Sequence, residues 1–193
     1  LCNAYAQLSA RGVTILVSTG LRGVGSGTQC TRFDVTFPAS CPYVTSVGAT
    51  ELDHIVLKPE IASRYNTGIF SNVFSRPAYQ DRSASTYLDS SLPDGMYEGR
   101  YNASGRAIPD RSLDEWGIML NQASVSGAGV LIVQTAFLAG IIALLNEELG
   151  STRLGFLNPL LYENPGMFHD LMAGALLLVF TSGFRSMADL FGG

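Results

Sequence analysis

Residues able to do chemistry are few in this chain and far apart. Its two histidines, His54 and His169, have no serine or cysteine partner in a recognised nucleophile pattern, and no Gly-x-Ser-x-Gly occurs. His54 reads as a loop residue rather than a base, and His169 as a surface neighbour of Asp170. Two acidic pairs occur, Asp114-Glu115 and Glu147-Glu148. Adjacent helical residues point about 100° apart, so neither pair can share a proton as a catalytic dyad; both read as solvated ends of elements. Three arginines, Arg11, Arg22 and Arg32, are scattered and mark no anion site. Among the cysteines, Cys30 and Cys41 flank a loop and could close a short disulfide, leaving Cys2 over; three buried thiols is the other reading, and spacing does not choose between them. There is no Cys-x-x-Cys or Cys/His cluster of the kind that holds zinc. Asn102-Ala103-Ser104 is an N-glycosylation triplet, meaningful if the chain is secreted.

The elements that must carry these residues alternate between strand-like and helix-like runs. At 193 residues the chain is one domain or a large piece of one, and its formal charge of −4 with a single lysine, Lys58, gives no basic stripe for nucleic acid. It begins at Leu1 rather than Met, which reads as a cropped or processed start, so the lack of a signal peptide says nothing about compartment. Residues 3–11 have helical character with Gly12 as a stop, and Val13-Thr-Ile-Leu-Val17 is a short buried strand. The strand runs into the glycine-dense loop 18–27, where α/β folds place ligands. Gly23-Val-Gly25-Ser-Gly27 lacks the order of a dinucleotide fingerprint and any Walker lysine, so the loop reads as a tight surface turn. Tyr43 to Thr50 is a second buried strand, 51–76 a polar loop, Pro77 to Leu88 a helix with proline in its first turn, and 92–110 a loop. The longest apolar run, Gly129 to Leu149, admits three readings: a membrane span, one long amphipathic helix, or a short strand Val130–Val133 turning directly into a helix. The β-branched cluster Val-Leu-Ile-Val favours the third. Leu154 to Tyr162 follows as a short helix or turn, and the apolar run Leu171 to Phe180 is too short to cross a bilayer. The alternation predicts an α/β fold with a mainly parallel sheet.

Several collinear blocks resemble the sedolisins, the serine-carboxyl peptidases that include fungal secreted tripeptidyl-peptidases. Val17-Ser-Thr-Gly-Leu-Arg-Gly-Val-Gly-Ser-Gly27 is similar to the family signature SSGDSGVGSG. Phe37-Pro-Ala-Ser-Cys-Pro-Tyr-Val-Thr-Ser-Val-Gly-Ala-Thr50, Phe70-Ser-Asn72, Arg76-Pro-Ala-Tyr-Gln80, Tyr101-Asn-Ala-Ser-Gly-Arg106 with Pro109-Asp110, Ala139-Gly-Ile-Ile-Ala-Leu-Leu-Asn146 and Leu154-Gly-Phe-Leu-Asn-Pro-Leu-Leu-Tyr162 extend the likeness. It is clear over residues 1–170 and lost over 171–193, so residues 1–193 are expected to be part of a peptidase domain with a subtilisin-like, mainly parallel sheet and flanking helices, incomplete at the N-terminus.

The resemblance implies a serine nucleophile, a glutamate base held by an aspartate, and a second aspartate at the oxyanion. A serine must lose its proton as it attacks, a carboxylate base works in acid where histidine is charged, and a protonated aspartate can donate to the developing oxyanion. Here the oxyanion position falls on Leu21, and the nucleophile position, eight residues before Gly140, falls on Ile132. The glutamate and its aspartate partner fall upstream of Leu1. The family's substrate-cleft Ser-Gly-Gly corresponds to Thr67-Gly68-Ile69, and its calcium site to Phe168-His-Asp-Leu171, with Asp170 offering a carboxylate and Leu171 a carbonyl. In subtilisin, loss of the nucleophile lowers turnover by about 10⁶. The expectation is therefore a tripeptidyl-peptidase-class domain that acts on peptide or protein substrates in acid but is inactive as this chain, secreted, monomeric and not membrane-bound. Two rivals are a pseudo-peptidase serving as a peptide-binding module and a mis-spliced version of an active enzyme. Uncovered sheet edges and apolar surface predict poor solubility.

Overall fold

The computed structural model describes residues 1–20, 24, 32–33, 35–51, 61–63, 66–114, 118–120, 123–125, 130–150 and 153–168. Helix α1 (Cys2–Ala10) opens the chain. It stops because Gly12 takes a left-handed φ of 78°. There the Gly12 N–H donates to Ser9 O at 2.9 Å and the Val13 N–H to Leu8 O at 3.1 Å, the paired bonds of a Schellman cap.

Four strands form the main sheet: β1 (Leu16–Ser18), β2 (Thr45–Glu51), β3 (Ile61–Ala62) and, after the β4–β5 pair described next, β6 (Arg111–Asp114). β1 and β6 both run parallel to β2 and both reach Val47, so they occupy its opposite edges. β3 is antiparallel and meets Thr50 and Glu51, beyond the end of β1 on the same edge. Strands β4 (Ile69–Ser75) and β5 (Gly105–Ile108) make a separate antiparallel pair with a register shift between Phe70 and Ser75. Between them lie a 3₁₀ turn, Ala78–Gln80, helix α2 (Asp81–Thr86) and a π turn, Tyr87–Ser91. Strands β7 (Ile118–Leu120) and β8 (Ala123–Val125) form a small antiparallel hairpin, followed by α3 (Val130–Glu148) and α4 (Leu157–Glu163). The α/β architecture with a parallel core is the one the sequence predicts.

The main core joins Phe33, Ile69, Phe70, Ala107 and Ile108 to Tyr87 and Tyr162. Rings meet in pairs there, Phe33 with Tyr97 at 5.4 Å between centroids and Phe70 with Tyr101 at 5.5 Å. Early and late residues clasp one another. The Thr14 hydroxyl donates to Gly155 O and accepts from the Leu157 N–H at 3.2 Å. The Asn158 amide donates to Val44 O at 2.9 Å and accepts from the Thr45 hydroxyl at 2.6 Å.

Three expectations are corrected. The run Val130–Val133 is not a strand: it is the first turn of α3, one continuous helix of 19 residues. The helix packs on β1, β2 and β6, and that tertiary support overrides the strand preference of its β-branched residues. No described helix is long and apolar enough to cross a membrane. Residues 51–76 and 92–110 are not wholly loop, since β3, β4 and β5 lie within them. Finally, the disulfide joins Cys41 to Cys2, with 5.8 Å between Cα atoms, and not to Cys30. Cys2 stands at the start of α1, whose buried side packs on Cys41 and Val44, so the helix brings the distant sulfur into reach. Cys41 can form one such bond, and Cys30 lies outside the described residues.

Candidate functional site

The end of β1 is the natural place to look, because ligands of parallel sheets sit beyond the carboxyl ends of strands. β1 ends at Ser18, and the next two residues are tied down by threonines from other segments. The Thr36 hydroxyl donates to Thr19 O at 2.8 Å, and the Thr67 hydroxyl to Gly20 O at 3.1 Å. Thr67 thus sits directly against the residue preceding Leu21. Its own position is set by Asn66, whose Oδ1 accepts from the Ala49 N–H at 2.7 Å and whose Nδ2 donates to Ala49 O. Asn66 in this way acts as a ladder partner for β2. The arrangement requires glycine at 48, since a Cβ there would lie 2.7 Å from Ser112 Oγ and 3.0 Å from Asn66 Oδ1.

Thr67, Gly68 and Ile69 are all buried, and Ile69 belongs to the main core. Ile132 lies in the first turn of α3, the helix laid across β1, β2 and β6. Two of the sequence-derived positions, Thr67 and the end of β1, are therefore brought together, and Ile132 is carried by a helix packed on the same sheet. Leu21 lies outside the described residues, as do His54, His169, Asp170 and Leu171. Glu147 and Glu148 are exposed at the end of α3, as solvated ends should be. Among the described residues no group of three or more His, Cys, Asp or Glu could hold a metal.

A second constellation went unread in the sequence. Asp110, Arg106 and Gln80 are fully buried together. The Asp110 carboxylate pairs with Arg106 Nη2 and accepts from the Ser46 N–H at 2.7 Å on the same oxygen. Its other oxygen accepts from Gln80 Nε2 at 2.8 Å and from the Tyr162 hydroxyl at 3.0 Å. Arg106 also donates to Val44 O at 3.0 Å. Tyr79 adjoins the network: its hydroxyl donates to Pro42 O at 2.6 Å and accepts from Asn158 Nδ2 at 3.0 Å.

Burial, with the Asp110 charge second, holds the Tyr79 and Tyr162 phenols well above the ordinary tyrosine range. Burial pulls the Arg106 guanidinium down, but Asp110, Tyr79 and Tyr162 more than reverse this, and the net direction is upward. Beside this group, Arg111 lies over the Phe168 ring at 4.0 Å and donates to Leu161 O at 2.6 Å. An Asp110 carrying four donors has no lone pair free to take a proton from a substrate. The network ties β2, β5, α4 and the 3₁₀ turn into one body.

No protein-family model matches the chain. Individual proteins do. It is 39% identical to tripeptidyl-peptidase SED4 of Arthroderma otae over 184 residues, covering 90% of this chain and 30% of that protein. It is 40% identical to tripeptidyl-peptidase SED3 of the same fungus over 185 residues, with the same coverage. Human tripeptidyl-peptidase 1 is 39% identical over 184 residues, 86% of this chain and 32% of that protein. A solved structure of Pseudomonas sedolisin, a serine-carboxyl proteinase in complex with two molecules of pseudo-iodotyrostatin, superposes with a TM-score of 0.66 at 23% identity, over 96% of this chain and 52% of that one. Over most of its own length the chain is similar to tripeptidyl-peptidases, and its fold matches that of sedolisin. It spans about 30% of the length of the curated relatives it matches. The sedolisin-like fold explains why the residues after β1 and those from Asn66 to Ile69 meet, although 47 positions separate Gly20 from Thr67.

Proposed function

We propose that this chain is a sedolisin-type peptidase scaffold, of the tripeptidyl-peptidase class that acts on peptides in acid, which does not hydrolyse them as it stands. One observation carries the reading: isoleucine occupies position 132, where the family pattern places its serine. An alkyl side chain has no proton to give up and no lone pair with which to attack a carbonyl. Leucine at the oxyanion position has no donor either, and an absent oxyanion donor alone costs about 10² to 10³ in turnover. The tie between Thr67 and Gly20 supports retention of the cleft-side backbone that would hold an extended peptide.

Secretion, or delivery to an acidic compartment, fits the family and the Cys2–Cys41 disulfide, which persists in oxidising surroundings. Asp170 and Leu171 would offer calcium a carboxylate and a carbonyl oxygen. The test is turnover of a tripeptide-amide fluorogenic substrate by the purified chain between pH 3 and 6. No release above a heat-treated control is expected. Turnover abolished by substituting a residue of this chain would overturn the reading.

A further inference from the structure

We infer that two copies of this chain pair through the outward face of α3, laid antiparallel about a two-fold axis. One side of α3 packs on β1, β2 and β6. A helix resting on a sheet ordinarily turns charged and polar residues to solvent. This one does not. Ala136, Phe137, Ala139, Gly140, Ala143 and Leu144 are all exposed, and no charged residue stands between Val130 and Asn146. Phe137 is 54% exposed and Leu144 67%. No described α3 residue belongs to the main core, so covering this face joins folded chains rather than completing a fold.

Charge selects the occupant. The last turn of α3 carries Glu147 and Glu148 and no base, and its first turn carries no acid. Both acids therefore stand at the negative end of their own helix dipole, where they are disfavoured. A parallel copy would add two more acids beside them. An antiparallel copy brings the positive end of its own α3 instead. A two-fold axis crossing between Ala139 and Gly140 sets position 147 against position 132 of the other copy, in its first turn.

The same axis gives the side chains complementary places. Ala136 meets Ala143, and Ala139 meets Gly140, so the two backbones can approach closely. At Gly140 a Cβ would meet nothing within 4 Å in its own chain. Phe137 and Leu144 are seven positions apart and share one edge of the face. The axis keeps that edge on the same side in both copies. Phe137 of one then lies about 3 Å along the helix from Leu144 of the other, and the large side chains interdigitate. The contact is self-complementary and closes at two copies.

The full chain is followed by sedimentation velocity over a dilution series, with circular dichroism as the check on folding. A monomer–dimer equilibrium is expected. Gly140→Arg abolishes it and retains the helix signal, because the longer side chain finds open space in a single chain. Glu147→Gln weakens pairing about 3- to 30-fold, since two symmetry-related charges at helix ends are lost. In a Cys30→Ser background, mild oxidation of Gly140→Cys gives a covalent dimer, whereas Val73→Cys, on an exposed position of β4, does not. If Gly140→Arg loses its helix signal, the cross-link alone decides. A chain that stays monomeric at every soluble concentration overturns the inference. So does association that runs past two copies, that survives in a folded Gly140→Arg variant, or that cross-links through position 73 and not 140.

Discussion

Replacing Asp110 by asparagine is a sharp test of how this scaffold is held together. The two side chains have the same shape, so packing is preserved and only charge and hydrogen bonding change. Asp110 is fully buried and its two oxygens face four donors: Ser46 N–H, Arg106 Nη2, Gln80 Nε2 and the Tyr162 hydroxyl. An amide has one acceptor oxygen. In either orientation its NH₂ points at two of those donors, and the Arg106 charge is left buried without its counter-ion. Removing one partner of a buried ion pair costs about 3 to 5 kcal/mol. Stabilities of natural domains are on the order of 5 to 15 kcal/mol, so about a fifth or more of the total is at stake. Equilibrium unfolding in urea, followed by circular dichroism, measures it. Adding Arg106→Met to Asp110→Asn should recover most of the loss, because the stranded charge is then gone and a side chain of similar length fills its space. An Asp110→Asn variant within about 1 kcal/mol of the parent would refute the argument that this pair organises the fold.

Other outcomes follow from the same structure. Substituting serine for Cys2 and Cys41 together removes a cross-link between residues 39 apart, and the chain-entropy relation gives a loss of about 4 kcal/mol in urea unfolding. The buried Tyr79 and Tyr162 phenols are held neutral by burial, whereas unfolded tyrosines ionise near pH 10. Their raised folded pKa values stabilise the fold fully below that pH, and the stabilisation is lost as pH rises above it, because the unfolded state then binds fewer protons. Stability measured from pH 8 to 11 should fall, and less steeply in Tyr162→Phe. Phe137, Leu144 and Leu145 are exposed on α3, and Leu149 directly after it. Glutamate at 144 and 145 should therefore raise the concentration at which light scattering first detects association, with no change in the urea midpoint.

Much of the fold could be read from local pattern. The α1 stop at Gly12, the strand before Ser18 and the strand ending at Thr50 all carry their signals within a few residues. α3 could not be read so, because Val-Leu-Ile-Val prefers a strand until β1, β2 and β6 provide a surface for a helix to lie on. β4 escaped notice for a related reason. Its polar residues look like loop, but the Ser71 hydroxyl accepts from the Val73 and Phe74 N–H groups inside a strand whose register shifts. Family likeness alone singled out Thr67 and the loop after β1, and the Thr67–Gly20 hydrogen bond brings those two segments into contact. The charged network was not legible at all. Gln80 and Tyr162 are 82 positions apart, and nothing in either neighbourhood announces the other.

The clasp at Thr14 has a bearing on how the chain comes to be folded at all. Its partners, Gly155 and Leu157, are synthesised 141 and 143 residues later. Asn158 arrives more than a hundred residues after the Val44 and Thr45 groups it binds. During translation the first parallel pair must therefore wait, half-dressed, until the last described helix has left the ribosome, and closure of such distant contacts is slow. A nascent chain halted before residue 155 should still be open to proteases throughout, with no early portion already secure.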